Sequence, residues 1–185
     1  MNFKAIKNTL GLVLIFEAAC MLLPLICAAV YKERDCVLIF ALCCAICLGT
    51  GLLMQIKPPK DKKIYAKDGY VIVALSWIIM SLFGAIPFML TKTTASFADA
   101  LFETVSGFTT TGASILPDLD VVPRSILFWR SFSHWIGGMG VLVFLVALFP
   151  LSGGSNMHIL KAESPGPSVS KLVPRVKTTA LLLYA

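Results

Sequence analysis

Charge is what this sequence has least of. Only 14% of its 185 residues are Asp, Glu, Lys or Arg, whereas 57% are apolar and the mean hydropathy is +0.84. Globular domains carry about a quarter charged residues, and they spread their apolar residues through amphipathic patterns. Here the apolar residues come in blocks, which excludes an ordinary soluble domain and points to lipid. Also missing is any basic stripe interleaved with aromatics, so the net charge of +6 and pI near 9.1 do not imply nucleic acid as a partner. The chain has no nucleophile–base pair, no metal motif and no capped phosphate loop, which argues against a membrane-embedded enzyme. No small-residue cleavage site follows the first apolar block before Tyr31-Lys32-Glu33-Arg34, so a cleavable signal peptide is not expected.

There is no disulfide framework either. All six cysteines (Cys20, Cys27, Cys36, Cys43, Cys44 and Cys47) fall in or at the edge of the first two apolar blocks. Cys36, Cys43 and Cys47 share one helical face and could meet at a metal. Buried cysteine is more often a small hydrophobe, and that is the expected use.

What is present is a series of spans. A bilayer crossing takes about 20 residues at 1.5 Å rise each, and stretches 8–31, 36–56, 69–91 and 124–150 are long enough. A fifth begins at Thr178 and is cut off at Ala185, so the chain is expected to be a fragment. Orientation follows from the loops, since cytoplasmic loops hold the excess of Lys and Arg. Lys4, Lys7, Lys57, Lys60, Lys62, Lys63, Lys67, Lys161, Lys171, Arg175 and Lys177 lie on one side, and only Lys32, Arg34, Lys92 and Arg124 on the other. The N-terminus is therefore expected in the cytoplasm.

The external segment between the third and fourth spans carries the chemistry. Ser96-Phe97-Ala98-Asp99 fits a capping box, which predicts a helix from Phe97 to about Gly107, too short to span. After it come Phe108-Thr109-Thr110-Thr111-Gly112-Ala113-Ser114 and an apolar return. A short helix, a Thr/Gly turn and an apolar return between two spans read as a re-entrant loop. A potassium ion must shed water in a narrow filter, and backbone carbonyls can replace that water without fixed charge. Gly112 takes left-handed dihedrals cheaply, which lets the carbonyls of Thr109, Thr110 and Thr111 turn toward one axis. The inward C-terminal end of the short helix adds partial negative charge. At the mouth, Asp99, Glu103, Asp118 and Asp120 outnumber Lys92 and Arg124, which concentrates cations.

The run Phe102-Glu103-Thr104-Val105-Ser106-Gly107-Phe108-Thr109-Thr110-Thr111-Gly112-Ala113, with Phe128-Trp129-Arg130-Ser131 and Trp135-Ile136-Gly137-Gly138-Met139-Gly140, resembles the first pore repeat of the Trk/Ktr/HKT potassium transporter superfamily. The TrkH-like branch is nearest, and Lys161-Ala162-Glu163-Ser164-Pro165-Gly166-Pro167 is similar to its intracellular connector. The resemblance implies an all-α membrane protein. Residues 1–66 form two N-terminal transmembrane helices, 67–150 the first membrane-pore-membrane repeat, and 151–185 a cytoplasmic connector with the start of the next helix. It implies potassium uptake, facilitated or coupled as in symport, at the bacterial inner membrane. Thr109, Thr110, Thr111 and Gly112 would form one quarter of the selectivity filter, with Thr110 and Thr111 against the potassium. The implied partners are lipid, the remaining repeats of a full-length chain, a TrkA-type cytosolic nucleotide-binding subunit, and a second copy in a homodimer. One glycine followed by Ala113-Ser114, where tetrameric potassium channels have two, leads us to expect fewer ion sites and looser rejection of sodium.

Four other features have two readings each. Arg130 and His134 lie four apart on one helical face. A proton relay would use both, while the favoured use is Arg130 bracing the short helix near Glu103 and His134 packed. Glu17, inside the first span, binds a cation, or it faces other protein or lies shallow, and the latter pair is favoured. Gly137, Gly138 and Gly140 form a hinge or a close packing surface.

Overall fold

The computed structural model describes residues 2–56, 66–116, 118–138 and 140. The expected end of the fourth span, the connector at 151–185 and the start of a fifth span lie outside them. Among the described residues every regular element is helical: α1 (Phe3–Val30), α2 (Arg34–Gln55), α3 (Ala66–Gly84), α4 (Ile86–Leu90), α5 (Phe97–Phe108) and α6 (Arg124–Gly138). Among the described residues three segments are long and apolar enough to cross a membrane: Phe3–Val30, Arg34–Gln55 and Lys67–Leu90.

α1 and α2 form a hairpin, with Gly11 and Gly51 at the crossing. A Cβ added to either glycine would stand 2.8 Å from the carbonyl oxygen of the other, so the backbones touch where a side chain would hold them apart. The six cysteines are free thiols, and Cys36, Cys43 and Cys47 lie buried on one face of α2. Leu38, Leu42, Leu52 and Leu53 face outward from the same helix. A water-facing helix would not carry such a stripe, but a lipid-facing one does.

The third apolar stretch was expected as one helix and is interrupted at Ala85. Pro87 supplies no N–H to the carbonyl of Phe83 four residues before it, so the ladder loses a rung and the helix resumes as the short α4. α1 packs against α2, α3 and α6, and α3 against α5. At the start of the chain the Asn2 N–H donates to Asp68 Oδ1 at 3.1 Å, joining α1 to the beginning of α3. Glu17 is fully buried near Gly84, so it faces protein, and neither of its oxygens has a hydrogen-bond partner.

Candidate functional site

The site is built on α5. Its start is the expected capping box: Asp99 N–H donates to Ser96 Oγ at 3.2 Å, and Ser96 N–H to Asp99 Oδ2 at 3.0 Å. Its end was placed near Gly107, and the helix closes one residue later. Thr109 is the C-cap, Thr110 N–H donates to the Gly107 carbonyl at 2.9 Å, and Thr111 N–H to the Ser106 carbonyl at 3.0 Å. This pair of bonds is a Schellman motif, which needs a left-handed residue after the cap. That residue is Thr110, at φ +57°. Lys32 after α1 and Lys92 after α4 close their helices in the same way, at +59° and +56°. Because the loop's own N–H groups occupy the last-turn carbonyls, the helix end presents less free negative charge than an uncapped terminus would.

Gly112 has φ +78°, the left-handed conformation expected of it. Thr109 is at φ −84°, and Thr111 also lacks a positive φ, so the sign alternates through residues 109–112. In an extended strand of one hand successive carbonyls point to opposite sides. Alternating hands lift that constraint, which allows neighbouring carbonyls to turn toward one side. All four residues are exposed, and a Cβ added at Gly112 would meet nothing within 4 Å.

Residues 113–115 are tied to α5 by buried polar groups. Ser106 Oγ donates to the Ala113 carbonyl at 2.6 Å, and Glu103 accepts from Ser114 Oγ at 2.8 Å and from the Ile115 N–H. Arg130 Nε completes the cluster at 2.9 Å from Glu103 Oε2. Burial alone would raise the Glu103 pKa. The Ile115 N–H, the Ser114 hydroxyl and Arg130 outweigh it and hold the carboxyl below its ordinary range. α6 reaches this position because glycines allow it close to α5. A Cβ at Gly137 would stand 2.1 Å from the Phe108 carbonyl oxygen, and one at Gly107 would stand 2.1 Å from Ser133 Oγ. Gly137 is thus a packing residue, whereas a Cβ at Gly138 would have ordinary room. Phe108 is held edge-on between Trp77 and Trp129, and the Trp129 indole N–H donates to the Gly84 carbonyl at 3.0 Å.

Arg130, His134 and Glu17 do not converge. Arg130 is committed to Glu103, and His134 Nδ1 lies 2.8 Å from the Arg130 carbonyl on its own helix. Among the described residues no group of three His, Cys, Asp or Glu side chains could hold a metal. Sequence reasoning passed over Ser106 and Ser114, whose types carry no signal until the loop folds back on α5.

The profile of a family described as TrkH, cation transport protein, matches residues 36–184. The chain belongs to the TrkH family. It is 37% identical over 187 residues to the Trk system potassium uptake protein TrkH of Halomonas elongata, and 35% identical to TrkH of Escherichia coli K12. Each alignment covers 100% of this chain but only 39% and 38% of the relative, so the chain spans under two fifths of their length. An uncharacterised cation transporter of Methanocaldococcus jannaschii is 43% identical over 109 residues, 59% of this chain and 22% of its own. Members of the TrkH family are cation transporters and not enzymes.

Proposed function

We propose that residues 97–116 form a re-entrant pore loop and that Thr109, Thr110, Thr111 and Gly112 supply one quarter of a carbonyl-lined potassium filter. The remainder would come from further repeats of a longer chain. The observation that carries this reading is the alternation of backbone hand through residues 109–112, directly after a capped helix too short to span and braced from behind by Glu103 and Arg130. Carbonyls aimed to one side can replace the hydration shell of a cation without fixed charge. The potassium is cargo, received from outside and released to the cytoplasm. The relatives' names support potassium as that cargo. The loop charges support a cytoplasmic N-terminus in a bacterial inner membrane. Likeness to the superfamily supports a homodimer gated by a TrkA-type cytosolic nucleotide-binding subunit.

Gly112→Ser in the full-length protein tests the filter. A side chain at φ +78° costs on the order of 1 kcal/mol. It has open space around it within this chain, so the fold should survive. Competitive rubidium uptake against sodium at equal expression should show a several-fold loss of rubidium preference with normal membrane insertion. Thr111→Val, which keeps the carbonyl, should be milder. Unchanged selectivity in Gly112→Ser would show that this loop is not the filter.

A further inference from the structure

α6 has no cap of its own. Val121, Val122 and Pro123 precede it, and none offers a side-chain acceptor to the free N–H groups of its first turn. Those groups are met by a carboxylate 91 residues earlier in the chain. Arg124 N–H donates to Glu33 Oε1 at 2.7 Å, and Ser125 donates to Glu33 Oε2 through its N–H at 3.2 Å and through its hydroxyl. The backbone of Glu33 is itself fixed, because its N–H closes the Schellman turn of α1 on the Ala28 carbonyl at 2.9 Å. Ser125 is fully buried and Glu33 half-buried, so the two Ser125 bonds are shielded from water, whereas the Arg124 bond lies at the exposed end of the helix. Six residues further on, about 9 Å along the helix, α6 presents Arg130 to Glu103. Glu103 in turn holds Ser114 and Ile115.

We infer that Glu33 is a positioning residue for the loop at 109–112. The turn between α1 and α2 sets the height of α6, and α6 sets residues 114 and 115 through Arg130 and Glu103. The two helices that precede the repeat thereby act as a splint on it. The inference rests on reading that loop as a filter. A carboxylate suits the task because it offers two acceptors and a negative charge to the positive end of the α6 dipole. A carboxamide would turn an NH2 toward one of the same donors.

The test uses the full-length transporter in proteoliposomes, with rubidium preference over sodium measured at matched folded yield. Glu33→Gln and Glu33→Ala should each lower the preference several-fold and raise the KM for rubidium. Ser125→Ala should do so more weakly. Glu33→Gln combined with Ser125→Ala should be no worse than Glu33→Gln alone, because both remove one shared contact. Gly112→Ser serves as the reference. If it loses preference while both Glu33 variants keep theirs, the positioning role is overturned and the filter stands. If Gly112→Ser itself keeps full preference, the filter reading fails and this inference with it. Should Glu33→Ala not fold, Glu33→Gln and Ser125→Ala decide, and additive effects or no effect would overturn the link.

Discussion

A β-branched side chain at φ +57° crowds its own backbone, a conformation that costs roughly 1–2 kcal/mol and persists only where surrounding bonds impose it. At Thr110 the imposing bonds are those from Thr110 to Gly107 and from Thr111 to Ser106, which close α5. Lys32 and Lys92 accept the same hand in exposed turns without a branched β-carbon. Thr110→Gly should therefore relieve strain, partly offset by the greater freedom of glycine when unfolded. In the full-length protein we expect a net change between zero and about 1 kcal/mol of stabilisation, together with weakened potassium preference. Thermal melting alongside the rubidium assay would check both, and clear destabilisation would show that the threonine is not strained. Gly112 was legible because glycine adopts this hand at low cost. Thr110 was not, since three identical residues do not mark which one the helix end will turn.

Arg130→Ala would leave Glu103, whose side chain is fully buried, without its cation. Breaking a buried pair from one side costs about 3–5 kcal/mol, so folded yield and transport of the full-length protein should fall together. Normal yield with normal uptake would remove the bracing role. α5 itself could be read from Ser96 and Asp99, because a capping box involves neighbours three residues apart. The break at Ala85 depends on one absent N–H at Pro87 within a long apolar run, and hydropathy does not register it. The cap on α6 was beyond sequence reasoning for a different reason. Its acceptor lies in another hairpin, and nothing local to Arg124 points to Glu33.

For the whole molecule, the distribution of basic residues leads us to expect 60–67 in the cytoplasm and 118–122 outside. With the native cysteines replaced, single cysteines at Lys62 and Asp120 should differ in intact cells. An impermeant maleimide should label position 120 and spare position 62, and labelling at 62 would invert the topology. If the loop is one quarter of a ligand ring, as proposed, the 185 residues alone should carry no potassium as a monomer. Flux from the purified monomer would contradict that. The link from Glu33 to Ser125 also has a consequence in time. The α1–α2 hairpin closes over a few residues and can assemble as soon as both helices have emerged, whereas Ser125 is synthesised 92 residues after its acceptor. At roughly 5–20 residues per second during translation, about 5–20 s separate the synthesis of Glu33 from that of the helix it caps. On the proposed topology the Glu33 carboxylate is then a landing mark for a helix not yet made.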